Sequence, residues 1–156
     1  MPLELYTPGS EAEWLRSFHW SQGIRPRYFE TDALGHVSNV FYTAYIEIAR
    51  LDFFNSLGDP DRELPQFGFM HNAVEITMRF VRPCFYNEDL EVHARVANVG
   101  RSSAILEHAI TSQGDSDIRT VARVAIVCMK DARTAPWSDG QRAVLTGLAS
   151  ERPSRS

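Results

Sequence analysis

The sequence predicts an α+β domain in which a curved, five-stranded antiparallel sheet wraps around one long central helix. A segment of about 18 residues that starts at Ser38 or Asn39 is apolar on nearly all sides, which is typical of a helix enclosed by its domain. From Val74 onward, apolar residues recur at every second position, which is typical of strands with one face on a core. A flat sheet would cover only one side of such a helix, so we expect the sheet to curve around it.

An N-terminal extension, residues 1–18, precedes this domain. Ser10 and Glu13 have the S-x-x-E spacing of a capping box, which predicts a short helix that runs to Phe18. From Trp20 to Phe29 the pattern is extended and predicts the first strand. Pro26 within that strand indicates an edge position or an irregularity, because proline cannot donate a ladder hydrogen bond.

The central helix begins near Ser38 or Asn39, either of which is a good N-cap, and ends at Gly58. Because one sheet does not easily enclose a helix that is apolar almost all round, we also expect a homodimer. The narrow polar stripe of the helix consists of Thr43, Glu47 and Arg50.

Four further strands are expected to follow as an antiparallel meander. Their connections are a tight turn at residues 98–100 and a hairpin loop at residues 112–117, SQGDSD. The last strand is apolar on both faces at VAIVCM and is therefore expected to be central. The predicted strands are Val74–Phe80, Leu90–Val96, Ala104–Ile110 and Ile118–Met129.

The predicted domain covers residues 19–145. The segment AVLTGLA (143–149) predicts a short terminal helix, and residues 146–156 are predicted to be a flexible tail. At 156 residues the chain is long enough for one domain with a substantial core and too short for two ordinary ones.

Composition and charge argue against several classes of protein. The chain carries 16 Lys and Arg against 20 Asp and Glu, whereas a general nucleic-acid binder usually shows a basic face. No apolar run approaches the roughly 20 residues of a membrane span, and the N-terminus lacks the features of a secretory signal. Cys84 and Cys128 are expected to be buried thiols in a reducing cytosol. We therefore expect a cytoplasmic protein with no nucleic-acid or membrane partner and, in the absence of zinc, dinucleotide or P-loop motifs, no metal or redox cofactor.

The loop ETDALGHVSN (30–39) places an acid, a glycine, a histidine and an asparagine directly before the central helix. Taken by itself, Asp32 is an ordinary turn or Asx-cap residue. The same carboxylate could act on a substrate, because a helix N-terminus presents free N–H groups and the positive end of a dipole. The residues alone leave both interpretations open, while Gly35 is expected to adopt a positive φ.

Longer segments resemble a known family. RYFETDALGHVSNVFYTAYIEIARLDFF (27–54) resembles the first strand, catalytic loop and central helix of hotdog-fold acyl-CoA thioesterases of the 4-hydroxybenzoyl-CoA thioesterase/YbgC-like group. The set D-x-x-G-H-V-x-N-x-x-Y followed by E-x-A-R is fairly specific, and the resemblance covers about residues 20 to 145. Later segments that agree in order are ITMRFVRPCFYNEDLEV, NVGRSSAILEHAI and VARVAIVCMKDARTAPW.

The resemblance implies a hotdog fold and the hydrolysis of an acyl-CoA thioester. In that group the aspartate at the position of Asp32 acts as nucleophile or general base. The helix N-terminus would stabilise the oxyanion, and the N–H groups of Val40, Phe41 and Tyr42 are the expected donors. The side chains of Tyr42 and Tyr45 are expected to be core or interface aromatics. A homodimer, or a tetramer built from dimers, is expected.

Three residues near the loop keep two interpretations each. Asn39 stands where YbgC-like members often carry a histidine, and it serves either as a helix cap alone or as a group that orients substrate or water. His36 serves either as a proton shuttle or as a structural hydrogen-bond partner. Another hotdog subgroup has its catalytic glutamate on the central helix, so Glu47 is an alternative catalytic acid, although its spacing to Arg50 suits an intrahelical ion pair.

Binding of coenzyme A is predicted at the hairpin that follows Gly100. Arg101, Ser102 and Ser103 there would contact the phosphates, because a guanidinium fork and hydroxyl groups suit them, and the alternative is a solvated turn. Arg82 and, less directly, Arg123 are further candidates. The residues Phe67, Phe69 and Met70 are expected either to line an acyl pocket or to fill the core.

The sequence therefore predicts an acyl-CoA thioesterase. The rival prediction is a non-catalytic acyl-thioester-binding module on the same fold, and a third is another hotdog enzyme such as a dehydratase. The acyl chain, and the choice between coenzyme A and acyl carrier protein, stay open because the pocket is expected where subunits meet.

Overall fold

The computed structural model describes residues 9–58 and 70–150. Residues 59–69, which include Phe67 and Phe69, lie outside the described residues, as do residues 1–8 and 151–156. The helices are α1 (Glu11–Leu15), α2 (Asn39–Leu57) and α3 (Asp139–Ser150). The strands are β1 (Trp20–Ile24), β2 (His71–Phe80), β3 (Leu90–Val99), β4 (Ser103–Ser112), β5 (Ile118–Lys130) and β6 (Arg133–Thr134).

The main sheet is antiparallel in the order β1-β3-β4-β5-β2, and α2 packs against one of its faces. The prediction of a curved five-stranded antiparallel sheet with one long helix is confirmed, and the short β6 pairs with the end of β5 as an addition to it. Between sheet and helix lies one apolar core that includes Ile46, Phe53, Leu106, Val124 and Ile126. None of the described helices is long and apolar enough to cross a membrane.

The predicted meander is wrong in one connection, because β2 pairs with β5 and not with β3. The segment 81–89 explains the difference, since it crosses the end of the sheet and does not form a hairpin between β2 and β3. The N–H groups of Val81 and Arg82 both donate to the carbonyl of Arg119 at the start of β5. Further on, Asn87 N–H donates to the carbonyl of Pro26 just after β1. The segment therefore runs from the β2 edge of the sheet to the β1 edge, next to which β3 begins.

The first strand is shorter than predicted. It ends at Ile24, and a 3-10 turn at Tyr28–Glu30 replaces the extended conformation expected as far as Phe29. Pro26 interrupts the ladder because it has no N–H to donate. The turn leaves Phe29 exposed and buries the carboxylate of Glu30.

The N-terminal helix α1 is also shorter than predicted, ending at Leu15 instead of Phe18. Ser10 occupies the N-cap position, but its side chain makes no cap hydrogen bond, so the predicted capping box is not formed. Trp14 nevertheless packs on Ala109 and Val121 in a second apolar cluster. That cluster ties the described part of the extension to the sheet.

Strand β2 is far more exposed than the predicted half-buried strand. It is an edge strand whose neighbour within the described residues is β5, and it carries a bulge at Val74, between Ala73 and Glu75. Val74 is 62% exposed and Ile76 is 37% exposed. This edge therefore presents apolar side chains, and no second strand of the described residues pairs with it.

The C-terminal part confirms the predicted hairpins and the terminal helix. Strands β3, β4 and β5 are joined at residues 100–102 and 113–117, and β5 is central as expected. Helix α3 runs past residue 145, with Leu145 fully buried and Leu148 packed on the core. Cys84 and Cys128 are both buried free thiols, as predicted.

Candidate active site

The loop before α2 holds Asp32 at its start. The Asp32 N–H donates to the carbonyl of His36 at 2.8 Å, and Gly35 N–H donates to the carbonyl of Asp32 at 3.0 Å. One carboxylate oxygen, Oδ1, accepts hydrogen bonds from the N–H groups of Leu34 (2.9 Å) and His36 (3.2 Å). Gly35 has φ +78°, so the predicted positive φ is confirmed. The carboxylate is thus oriented by the turn itself while remaining exposed.

The loop is fastened at both ends. Ser38 N–H donates to the carbonyl of Glu30 at 2.8 Å, and Thr31 pairs with Val37 in an isolated bridge. Val37 N–H donates to the carbonyl of Cys84 at 2.8 Å, which joins the loop to the segment after β2. The loop therefore has a defined position relative to both the helix and the sheet.

The N-terminus of α2 opens beside Asp32. Ser38 is the N-cap, with extended backbone angles and no side-chain cap hydrogen bond. Phe41 N–H donates to the carbonyl of Ser38 at 2.9 Å, and Tyr42 N–H stands where the first i to i−4 bond of a helix forms. Of the three predicted oxyanion donors, Val40 is therefore the one whose N–H has no acceptor among the described residues.

A cleft of about 220 Å³ joins the loop, the start of α2 and the segment after β2. It brings together the predicted residues Asp32, His36, Asn39, Tyr42 and Arg82. The other lining residues are Val37, Phe80, Val81 and Pro83. A carboxylate, an amide and a phenol thus face one space at the positive end of a 19-residue helix.

Tyr42 forms the floor of the cleft. Its hydroxyl oxygen accepts a hydrogen bond from Cys84 N–H at 2.9 Å, and its ring lies 5.2 Å from that of Phe80. Burial raises the pKa of Tyr42 above its usual range, so the phenol stays neutral. A neutral phenol that already accepts one hydrogen bond keeps its own proton to donate.

A network of charged groups forms the wall behind Arg82. Arg82 pairs with Asp117, and Arg119 donates to Asp117 at 2.7 Å and to Glu88 at 2.9 Å. The hydrogen bond from Arg119, together with the charges of Arg119 and Arg82, lowers the pKa of Asp117 despite partial burial. Arg119 also donates to the carbonyl of Pro83, so this network fixes the cleft segment. The sequence reasoning missed Arg119, whose pairing with distant acids no local pattern indicates.

A buried carboxylate beneath the loop was also missed. Glu30 is 1% exposed, and it accepts hydrogen bonds from the hydroxyl of Tyr45 and from Arg27 Nε, the latter at 2.5 Å. Burial is the largest influence and would raise the pKa of Glu30, but the two hydrogen bonds and the Arg27 charge outweigh it and hold the pKa below its usual range. Tyr45 is buried, as predicted, but it is a hydrogen-bonded group and not simply an apolar one. The only sequence signal for this buried carboxylate was the presence of an acidic residue two positions before Asp32.

The predicted coenzyme A residues of the hairpin are not near this cleft in the single chain. Arg101, Ser102 and Ser103 lie at the opposite end of the sheet, where the carbonyl of Ser102 accepts from Cys128 N–H. Phe80 at the cleft is level with Ile110 through the register of β2, β5 and β4. From Ser103 to that level is seven residues of strand, or ~23 Å.

The alternative acid Glu47 is exposed on α2 and does not line the cleft. Its Oε1 lies 3.6 Å from Nη2 of Arg50, which matches the predicted intrahelical ion pair. His36 packs its ring against Phe85 with the centroids 5.2 Å apart, and it holds the loop through its backbone. Arg123 donates to Glu107 at 3.2 Å, away from the cleft lining, and Met70 is 45% exposed at the start of β2.

The fold places the molecule among hotdog-fold proteins. A thioesterase from Thermus thermophilus, solved with coenzyme A and Zn, matches 82% of this chain and 98% of its own with a TM-score of 0.71 and 24% identity. YbaW, a probable thioesterase from Escherichia coli, matches 84% of this chain and 99% of its own with a TM-score of 0.70 and 22% identity. At these identities the likeness concerns the fold.

Family membership is carried by the sequence. The chain belongs to the thioesterase-like superfamily, whose model matches residues 26–145, and it is a thioester hydrolase. It is 25% identical over 146 residues to the uncharacterized protein YsmA of Bacillus subtilis (strain 168), which covers 93% of this chain and 97% of that protein. It is 26% identical over 110 residues to the long-chain acyl-CoA thioesterase FadM of Escherichia coli (strain K12), which covers 68% of this chain and 80% of that protein.

Proposed function

We propose that this protein hydrolyses acyl-CoA thioesters at the cleft between the Asp32 loop and the N-terminus of α2. The observation that carries the proposal is the cleft that Asp32, Asn39 and Tyr42 share at the N-terminus of α2. Relatives named as acyl-CoA thioesterases support coenzyme A as the carrier of the acyl group. The proposed reaction releases a free acid and the thiol of coenzyme A.

Asp32 acts on the thioester carbonyl in one of two ways. As nucleophile, its free carboxylate oxygen bonds to the carbonyl carbon and the C–S bond breaks with departure of the coenzyme A thiolate. Water then hydrolyses the acyl-aspartyl anhydride to the free acid and the Asp32 carboxylate, and the proton it releases goes to the thiolate. As general base, Asp32 takes a proton from a water whose oxygen attacks the same carbon, and Asp32 passes that proton to the thiolate that departs as the C–S bond breaks. In both routes the helix N-terminus stabilises the negative charge that develops on the thioester carbonyl oxygen, and the Val40 N–H is the proposed hydrogen-bond donor.

Asn39 and Tyr42 are proposed to orient the substrate or the attacking water. Both line the cleft, and each carries a group that can donate a hydrogen bond toward it. Arg82 is proposed to meet a coenzyme A phosphate, because its guanidinium is 59% exposed at the cleft while Asp117 holds its direction.

We also propose that the active form is a homodimer paired through the edges of β2. Antiparallel pairing of two β2 strands about a two-fold axis would place the start of one β2 beside the end of the other. His71 at the start of β2 pairs with Cys128, whose N–H donates to the carbonyl of Ser102. The hairpin of Arg101, Ser102 and Ser103 from one subunit would therefore lie at the Asp32 end of its partner, where coenzyme A phosphates could be met.

The proposed function is tested by thiol release from a panel of aromatic, short and long acyl-CoA substrates. Asp32→Asn keeps an oxygen for the Leu34 and His36 amides but lacks the anionic oxygen, and we expect it to lower turnover by about 100-fold or more. Asp115→Asn is the matched control, since Asp115 is an exposed acid that caps its own turn through the Ser116 N–H. Full turnover by a folded Asp32→Asn variant would overturn the assignment, and saturable binding without thiol release by the wild type would indicate a non-catalytic module.

A further inference from the structure

We propose that Glu30 and Tyr45 form a buried positioning pair that holds Asp32 in register with the N-terminus of α2. The inference rests on the proposed function, in which Asp32 must meet a carbonyl held by that helix end. Neither residue lines the cleft, so the pair would act through the position of the loop and not by contact with the substrate.

Glu30 fastens the loop in two directions. Its carbonyl accepts the Ser38 N–H at 2.8 Å, which joins the residue before the loop to the helix cap after it. Its carboxylate accepts the hydroxyl of Tyr45 in the second turn of the same helix. Asp32 lies two residues beyond Glu30, so its backbone can shift little while both bonds are made.

The chemistry of the pair is specific for a carboxylate. Glu30 is almost completely buried, and removing a carboxylate from water is unfavourable unless hydrogen bonds replace the lost solvent. Tyr45 and Arg27 provide them, with the Arg27 guanidinium itself 68% exposed. An apolar side chain would fill the same space but would leave the buried Tyr45 hydroxyl without an acceptor.

The two tyrosines of α2 hold opposite sides of the loop. Tyr42 accepts the Cys84 N–H, and the Cys84 carbonyl in turn accepts the Val37 N–H near the end of the loop. Tyr45, three residues further along the helix, holds Glu30 at the beginning of the loop. The i, i+3 spacing places both hydroxyls on one side of α2, so one helix face determines where both ends of the loop lie.

Tyr45→Phe tests the pair, because it removes one hydroxyl and leaves the ring. We expect kcat to fall about tenfold, which corresponds to ~1.4 kcal/mol, with KM changed less than twofold since coenzyme A contacts are untouched. Amide hydrogen exchange at Leu34 and His36, whose N–H groups hold Asp32, should accelerate while the sheet is unaffected. Glu30→Gln retains an acceptor oxygen and should therefore keep more of kcat than Glu30→Leu. Because the two residues act as one pair, the double variant Glu30→Gln/Tyr45→Phe should have a kcat no lower than that of Tyr45→Phe alone.

Phe53→Leu is the matched control. Phe53 is a buried core residue of the same helix, so the variant should lower Tm and leave kcat unchanged at a temperature where the protein is folded. Equal loss of kcat in Phe53→Leu and Tyr45→Phe at equal loss of Tm would overturn the positioning role, and so would unchanged exchange at both amides in Tyr45→Phe. Absence of thiol release by the wild type would instead contradict the proposed function. The two failures are distinguishable, because the hydrogen-exchange measurement tests the positioning pair and does not depend on activity.

Discussion

At the scale of single residues, the two interpretations of Asp32 are compatible. The turn uses Oδ1, which accepts the Leu34 and His36 N–H groups, and this leaves the second carboxylate oxygen without a turn partner among the described residues. A side chain fixed by its own loop loses less freedom when it meets a substrate. The same geometry therefore suits both a structural turn and a reagent.

His108 is a buried residue whose titration should make stability depend on pH. It is fully buried on β4, where burial and, secondarily, the charge of Arg50 lower its pKa to about 3 against a small opposing effect of the His93 backbone. In the unfolded chain its pKa returns to an ordinary value of 6.5. Below pH 6.5 the unfolded state therefore binds a proton that the folded state does not, and stability falls as the pH drops.

We predict that His108→Leu weakens the acid sensitivity of folding. Between pH 6.5 and 5, the contribution of His108 should lower the free energy of unfolding of the wild type by ~2 kcal/mol, since one pKa unit corresponds to about 1.4 kcal/mol. Urea unfolding at several pH values measures the slope. A His108→Leu slope equal to that of the wild type would refute the prediction.

At the scale of elements, the boundaries of α2 follow from local chemistry. Ser38 stands at its N-cap position with extended backbone angles, and Gly58 ends it with φ +70° and ψ 171°, a conformation that residues with a Cβ avoid. The space around Gly58 is open, with no atom of the described chain within 4 Å of an added Cβ. The glycine is therefore required by the backbone and not by packing.

Gly58→Ala should destabilise the fold by about 1 kcal/mol through backbone strain alone. The control is the same substitution in the middle of α3, where Gly147 also has open space around it. Gly147→Ala should leave stability unchanged or raise it by up to ~1 kcal/mol, because alanine favours a helix interior. Denaturant unfolding distinguishes the two, and equal effects of both changes would contradict the argument.

Strand positions were less accessible to local reasoning than helix ends. The alternation in Val74–Phe80 correctly indicated a strand, yet it carried no information about which neighbour β2 would pair with. Pairing with β5 depends on the path of residues 81–89 across the sheet end, which is held by bonds to Arg119 and Pro26 far away in sequence. Nonlocal hydrogen bonds of this kind leave no periodic signal.

At the scale of the whole molecule, the proposed dimer would account both for the exposed edge of β2 and for the distance between the predicted site residues. Val74 and Ile76 are apolar and exposed in the single chain, and Arg101 lies at the end of the sheet opposite to Asp32. A two-fold dimer through β2 would cover Val74 and Ile76, and it would bring Arg101 of the partner subunit to the end of the sheet where Asp32 lies.

Mixing two inactive variants tests this arrangement. Asp32→Ala and Arg101→Ala homodimers should each be poorly active at low substrate concentration, and a randomly assorted equal mixture should recover about a quarter of wild-type activity. Half of the dimers are then hybrids, each with one intact site. Mixing Asp32→Ala with Asp32→Asn is the control and should recover nothing. Recovery no greater than the sum of the separate variants, or a monomeric mass by light scattering, would exclude the shared site.

The sequence by itself determined the long apolar helix with its ends, the strand segments after residue 70, and the loop in which Asp32 precedes that helix. These features follow from periodicity and from turn and helix-end residues such as Gly35 and Gly58, which act over a few positions. Only the tertiary structure decided the partner of β2, the burial of Glu30 under Tyr45 and the separation of Arg101 from the cleft. Each of these depends on contacts between residues distant in the chain, and such contacts exist only once the sheet has formed and packed against the helix.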